Sequence, residues 1–313
     1  MYNAIIIGAG QIGALYDNPA SNSILTHAHA LNHSGNFDLL GFVDINLEKA
    51  KTASKLWGGQ VYSSIEEALL NNKIDIAVIC VPDAFHYKVI QQIYKHKDKI
   101  KLILMEKPIT NSLEEAQLLI DEYKDIDILV NYSRRFYDII TEIKENIQEG
   151  NFGELMAGTA YYGKGVTHNG SHLIDLLIYF FEKVSVYKKL NDLFDYYDND
   201  PSVNAILKIH NVNFVLHAVS CKKVTIFEAD FLFEKARIVI DGDTVKLYEV
   251  SCSQIYSGEQ NYVLRKEIML DPSEPMLNCY KHITEVLNKK VRPCCTAKDG
   301  YNCLKICKKL LDG

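Results

Sequence analysis

The chain has little of what would place it in a specialised class. Basic charge is not in excess: 34 Lys and Arg stand against 40 Asp and Glu, a formal net charge of −6 over 313 residues. A general nucleic-acid binder carries a basic patch or stripe, so no nucleic-acid partner is expected. No apolar run reaches the ~18 residues of a membrane-spanning helix. The stretches 173–181 and 77–82 are broken by charge or proline, so no membrane partner is expected. The first residues lack the basic segment and cleavage site of a secretory leader. The 7 prolines are scattered, and neither a low-complexity tract nor a repeat is present. Among the 8 cysteines, Cys80, Cys221, Cys252 and Cys279 are isolated. Cys294, Cys295, Cys303 and Cys307 cluster without C-x2-C spacing, and Cys303 and Cys307 fall one helical turn apart like core positions. No disulfide framework and no metal site are expected, and the protein is expected to be reduced and cytoplasmic. What remains is ordinary globular composition, 48% apolar and 24% charged, with length for two domains.

Up to about residue 130, short apolar stretches (4–8, 39–44, 74–81, 102–106 and 128–132) alternate with helical patterns at 47–57, 65–70, 87–96 and 113–123. Continuous apolar strands separated by helices of this length predict a parallel sheet covered on both faces. Beyond residue 155 the rhythm becomes strand after strand: 156–162, 205–210, 214–220, 224–233, 236–240, 245–250 and 262–270, with Asp241-Gly242 as a tight-turn signal. One apolar helix (171–181) interrupts or covers them, and helices at 276–287 and 298–311 close the chain. The expected fold is therefore α/β: a doubly wound parallel-sheet domain over residues 1–124, then an α+β domain over 125–313 with a large, predominantly antiparallel sheet.

The first chemical signal is Gly8-Ala9-Gly10-Gln11-Ile12-Gly13, directly after the first strand. Gly8 permits the tight turn, Gly10 lets the backbone approach a pyrophosphate, and Gly13 allows close helix–strand packing. Amides at Gln11 and Ile12 open the following helix and would hold phosphate oxygens. Asp44 ends the second strand, where an acidic residue bonds the adenosine ribose. No neighbouring Arg or Lys is available for a 2′-phosphate, which favours NAD over NADP. The distance from Gly13 to Asp44 exceeds the about 20 residues of the usual unit, and the excess fits an insertion at 15–26. A structural glycine turn without nucleotide is the alternative.

Later strand ends supply the second signal, because open α/β sheets bind ligands there. They carry Pro82 and His86, then Glu106-Lys107-Pro108, then Asn131-Tyr132-Ser133-Arg134-Arg135. A third signal is His168-Asn169-Gly170-Ser171-His172-Leu173-Ile174-Asp175, in which His172 and Asp175 share one face of an apolar helix. Buried polar groups there must be paired or face a cleft. A histidine also suits removal of a hydroxyl proton.

In this order the motifs resemble the glucose–fructose oxidoreductase / inositol dehydrogenase / rhizopine-catabolism (Gfo/Idh/MocA) family of NAD(P)-dependent oxidoreductases, over residues 4 to about 180. The resemblance implies an N-terminal Rossmann domain and a second domain for substrate binding and oligomerisation. It implies that Lys107 contacts the nicotinamide and the substrate hydroxyl, and that His172 is the acid/base. Pro82, His86 and Glu106 would lie on the cofactor side, with the peptide before Pro108 often cis in the family. Asp175 would line the substrate pocket, with Tyr132 and Arg135 near the site entrance. Where the family carries Asp or Asn four positions before the histidine, this chain has His168; either His168 binds substrate, or Asn169 fills that place, or the proton leaves through Lys107. A homodimer or homotetramer through the second sheet is implied as well.

The activity expected is hydride transfer between NAD(P) and a secondary hydroxyl or keto carbon of a sugar, cyclitol or nucleotide-linked sugar. Two alternatives are a non-catalytic NAD(P)-binding sensor and a metal-dependent hydrolase using His168, His172 and Asp175.

Overall fold

In the computed structural model, which describes residues 1–313, the first six strands are β1 (Tyr2–Ile7), β2 (Phe37–Val43), β3 (Gln60–Tyr62), β4 (Ile76–Ile79), β5 (Leu102–Glu106) and β6 (Asp127–Asn131). They form one parallel sheet in the order β3-β2-β1-β4-β5-β6. The order reverses between β1 and β4, which opens a crevice beyond the carboxyl ends of these strands. The crossover helices are α1 (His27–Ser34), α2 (Leu47–Trp57), α3 (Ile65–Asn71), α4 (His86–Tyr94) and α5 (Leu113–Glu122). Side-chain caps start four of them: Thr26 accepts from His29 N, Asn46 from Glu48 N and Lys49 N, Ser64 from Glu67 N, and Ser112 from Glu115 N. Each cap is worth about 1 kcal/mol and sets where the helix begins.

A second sheet follows α6 (Asp138–Gln148). Its strands are β7 (Leu155–Tyr162), β8 (Val184–Tyr197), β9 (Asp200–Ile209), β10 (Val212–Ala218), β11 (Phe227–Phe233), β12 (Ala236–Asp241), β13 (Thr244–Cys252) and β14 (Gln260–Met269). They run in the order β14-β13-β12-β11-β7-β10-β9-β8, antiparallel except where β7 meets β10. One face is covered by α7 (Ser171–Phe181), whose Phe180 and Phe181 meet Phe231 at ring-centroid distances of 5.7 and 6.0 Å. On the other face alternate residues stay partly open, among them Tyr161 stacked on His217 at 4.9 Å. The helices α8 (Glu274–Leu287) and α9 (Ala297–Asp312) end the chain.

Contacts divide the chain into Met1–Phe136 with Pro272–Leu304, and Tyr137–Asp271 with Lys305–Gly313. The boundary expected at residue 124 therefore differs in two ways. It falls before β6, which completes the parallel sheet, and it assigns α8 to the wrong unit. The Met276, Cys279, Tyr280, Ile283 and Val286 face of α8 is buried in the same core as Ile6, Phe42, Val78 and Leu104. Each large apolar side chain buried in this way is worth about 1.5–3 kcal/mol. The segment after α8 also protects the edge of β6, where Val130 N donates to Cys295 O at 2.9 Å.

Expected elements at 102–106, 47–57 and 171–181 coincide with β5, α2 and α7. β3, α1, α6 and β8 lie outside the elements expected from the sequence. The first is three residues long, and α1 is short with three histidines. β8 is an edge strand whose Lys188, Lys189, Asn191 and Asp192 obscure any alternation. For α6 the stripe Ile139, Ile140 and Ile143 gives a legible helical face.

The expected insertion lies between a short π-helical turn (Gln11–Leu15) and α1. One buried carboxylate holds it. Asp17 accepts from Leu25 N at 2.7 Å, from Thr26 N at 3.2 Å and from Thr26 Oγ1 at 2.6 Å, and it pairs with His29 Nδ1 at 2.9 Å.

Candidate active site

In the first unit the site begins with the glycine turn. Gly8 adopts φ +100°, and a Cβ there would meet Cys80 backbone atoms at 2.6 Å. A Cβ on Gly13 would lie 2.3 Å from Gly8 O, whereas one on Gly10 would meet nothing within 4 Å. The turn is thus closed on the protein side and open beside Gly10, where a pyrophosphate can approach the backbone. The opening amides of the Gln11–Leu15 turn, including those of Gln11 and Ile12, lack intrahelical partners, as at any helix start, and suit anionic oxygens. Asp44 closes the turn from β2: Oδ2 accepts from Ala9 N at 2.8 Å and Oδ1 from Asn46 N at 2.7 Å. Each carboxylate oxygen keeps a further lone pair for a ribose hydroxyl. These residues fit a dinucleotide.

At the end of β4, Pro82 is exposed, whereas His86 is fully buried. The His86 ring faces three backbone carbonyls: Pro108 O and Ile109 O from Nδ1 at 3.0 and 3.2 Å, and Val81 O from Nε2 at 2.9 Å. It therefore ties the loop after β5 to the end of β4, instead of presenting itself to a ligand. Within that loop the Lys107–Pro108 peptide is cis. Glu106 pairs in register with Asn131 of β6. Its Oε1 takes a hydrogen bond from Asn131 Nδ2 at 2.7 Å and lies 3.0 Å from His27 Nε2. Burial pushes the Glu106 carboxyl up, but His27, Asn131 and Lys107 outweigh it and hold it below the usual range. Burial lowers the Lys107 ammonium and Arg134 adds to this, against the opposing influence of Glu106, Asp83 and Cys303.

Tyr132 and Arg135, expected near a site entrance, are buried instead. Arg135 Nη1 donates to Cys294 O at 2.7 Å and pairs with Asp299 at 3.6 Å, so this guanidinium braces the segment before α9. Asn131, placed at a strand end by the sequence but given no role there, holds the Glu106 carboxylate. Since a carboxylate only accepts, its amide nitrogen must face Glu106. Its buried Oδ1 then has no hydrogen-bond partner, a vacancy that a ligand donor can fill.

In the second unit the candidate residues lie on the π-helical segment Gly165–Gly170 that leads into α7, held by the β8–β9 hairpin. Asp195 accepts from Lys164 N at 2.9 Å, from Cys221 N at 3.1 Å and from Ser202 Oγ at 2.9 Å. Burial raises its carboxyl, yet these donors win and hold it low. Asp200 accepts from Thr167 N at 2.9 Å and His168 N at 2.8 Å. His168 is exposed, with Nε2 3.3 Å from the Tyr197 hydroxyl. Asn169 Nδ2 donates to Gly163 O at 3.0 Å. His172 and Asp175 lie in the first turns of α7, with Asp175 1% exposed. No group of three or more His, Cys, Asp and Glu side chains is arranged to hold a metal ion. Asp195, Tyr197 and Asp200 had no local signal in the sequence, being some thirty positions from the segment they hold. Asp200→Ala is expected to speed amide exchange at Thr167 and His168 at least about fivefold, the loss of roughly 1 kcal/mol of hydrogen bonding, while β9 amides keep their protection. Hydrogen exchange resolved by residue checks this.

The chain is similar to several known proteins. Residues 2–131 match the family model described as an oxidoreductase family with an NAD-binding Rossmann fold. Glucose-6-phosphate 3-dehydrogenase of Bacillus subtilis is 25% identical over 202 residues, 56% of this chain and 53% of that protein. Inositol 2-dehydrogenase of Renibacterium salmoninarum is 27% identical over 158 residues, 49% of this chain and 44% of that protein. The chain thus spans about half the length of the curated relatives it matches. The solved structure of UDP-N-acetylglucosamine 3-dehydrogenase from Acidithiobacillus ferrooxidans superposes with a TM-score of 0.75 at 15% identity, covering 98% of this chain and 96% of that one.

Proposed function

We propose that this chain, whose residues 2–131 match the model of an oxidoreductase family with an NAD-binding Rossmann fold, belongs to the Gfo/Idh/MocA family and is an NAD-dependent dehydrogenase or reductase. Its substrate is a secondary hydroxyl or keto carbon of a sugar, cyclitol or nucleotide-linked sugar. The observation that carries this reading is the gathering of the Gly8–Gly13 turn, Asp44 and Lys107 at the carboxyl ends of β1, β2 and β5 of one sheet. The relatives' names support the substrate class, since they specify a sugar phosphate, inositol and a UDP-sugar.

A bound nicotinamide supplies or accepts the hydride. Lys107 donates a hydrogen bond to the reacting oxygen. With its pKa lowered by burial, it also shares that proton more readily than a solvated lysine does. His172 takes the hydroxyl proton in oxidation and returns it in reduction, while His168 and Asp175 contact the substrate. Incubating the protein with NAD and a panel of sugars, cyclitols and sugar nucleotides, and following reduced nicotinamide by absorbance, tests the reading. Tight cofactor binding with no turnover across the panel would favour a sensor instead.

NAD is preferred over NADP because the Asp44 carboxylate occupies the end of β2, where a 2′-phosphate would meet like charge. Asp44→Ala is expected to weaken NAD roughly tenfold, as for loss of a hydrogen bond to a charged group, measured by fluorescence titration. Tighter NADP than NAD binding in the unaltered protein would overturn the preference. The open face of the second sheet, with Tyr161 38% exposed, is assigned to self-association as a homodimer or homotetramer, which light scattering after gel filtration checks.

A further inference from the structure

Beneath Lys107 lies a chain of buried polar groups that the proposed reaction does not itself use. Tyr280 of α8 is fully buried, and its hydroxyl sits 2.9 Å from His27 Nδ1. His27, also fully buried, reaches Glu106 through Nε2 at 3.0 Å, and Glu106 is held from the other side by Asn131. A carboxylate has no proton to give, so Nε2 must donate, which fixes the His27 tautomer. The Tyr280 hydroxyl can then donate to a neutral ring or accept from a charged one, and the chain stays hydrogen-bonded in either state. A histidine with no exposed surface, bonded at both nitrogens, serves no surface or solvent-facing purpose. Its one charged neighbour is the residue preceding Lys107.

We propose that His27 is a positioning residue for the reaction: by holding Glu106 as an oriented carboxylate, it keeps the adjoining Lys107 side chain an ammonium able to donate to the substrate oxygen. The inference rests on the reading of Lys107 as a catalytic residue. The groups facing Glu106 are His27 from α1, Asn131 from β6, Cys80 after β4, Cys279 and Tyr280 from α8, and Lys107 itself. Those facing Lys107 are Glu106, Arg134, Asp83 and Cys303. Of the groups around Glu106, only His27 and Lys107 can bring positive charge, and the hydrogen bonds to its carboxylate come from His27 and Asn131. Without the His27 bond, burial would favour a protonated Glu106. Lys107 would then lose the strongest of the charges that oppose burial and Arg134, and would deprotonate at lower pH.

The test uses the whole chain with His27→Phe, which keeps a ring against Tyr280 and removes both nitrogens, and His27→Gln, which can still donate to Glu106 and accept from Tyr280. Competitive acetic anhydride labelling of Lys107 across pH, read by peptide mass spectrometry, gives its titration midpoint apart from any turnover. In His27→Phe the midpoint and the alkaline limb of reductive kcat are expected to move down together by about one pH unit or more. His27→Gln should restore both to within about a third of a unit. An unmoved Lys107 midpoint in a folded His27→Phe protein overturns the proposal. If that variant does not fold, imidazole nitrogen shifts in the unaltered protein decide: Nε2–H at neutral pH supports the proposal, and an Nδ1–H ring with bare Nε2 overturns it. Failure of the parent reading looks different, because Lys107→Ala would then turn over substrate normally whatever His27 does.

Discussion

Lys107→Ala and His172→Ala are each expected to lower kcat by about 10²–10⁴, the usual contribution of a group that moves or holds the reacting proton, with cofactor affinity nearly unchanged. The separation of effects follows from where the parts sit. Removing the Lys107 side chain leaves Glu106 bonded to Asn131 and paired with His27, and it leaves the Gly8–Gly13 turn and its bond to Asp44 untouched. The fold around the strand end therefore has no reason to collapse. Lys107→Arg should not restore the rate, because a guanidinium keeps its proton at every working pH and is larger and planar. The double variant extends the test. If the two groups serve one proton transfer, removing both should cost about as much as the worse single change, since residues acting as a unit are strongly non-additive. Steady-state kinetics beside cofactor titration measure all of this. Turnover like that of the unaltered protein in both single variants would remove the proposed catalytic pair.

Gly13→Ala is expected to destabilise the first unit by about 3 kcal/mol, as an extra methyl in a filled space does, and to weaken dinucleotide binding at least about tenfold. The added Cβ would stand 2.3 Å from Gly8 O, a backbone atom that cannot rotate away, with Cys80 Cβ and Ile6 Cγ2 at 3.4 Å behind it. Either the π-helical turn lifts from the sheet or the Gly8 peptide moves, and each displaces the amides beside Gly10. Gly10→Ala is the informative contrast, since its Cβ meets no protein atom within 4 Å. It should leave stability nearly unchanged and penalise only the cofactor. Thermal unfolding of the two variants, with and without NAD, separates packing from binding. Equal melting temperatures for Gly13→Ala and the unaltered protein would show that the turn has slack its geometry denies.

Much of this protein follows from local pattern. The alternation of apolar strands with capped helices fixes a parallel sheet, because each strand buried on both faces must be apolar along its length and each crossover needs a helix. The glycine turn, the acidic tip of β2 and the lysine after β5 were legible for a related reason. Strand ends of such a sheet meet at one edge, so polar residues placed there are drawn together whatever lies between them. His172 and Asp175 could be placed on one helix because their spacing and the apolar residues around them define that helix by themselves.

What local pattern left open, distance along the chain decided. His27 meets Tyr280, Asp200 holds His168, Arg135 braces the segment before α9, and α8 returns to the first core from beyond the second sheet. None of these pairings has a periodic signature. Each exists because a buried polar group must find a partner, or an apolar helix face must find a core, and the nearest one in space is far away in sequence. The same requirement turned His86 and Glu106 toward neighbouring protein groups. The amino-acid order alone thus determined the sheet and its glycine turn, and it placed the candidate side chains at strand ends and on one helix. The tertiary structure alone decided which polar groups hold the others in place, because satisfying buried hydrogen bonds is a property of the packed chain and of no single segment.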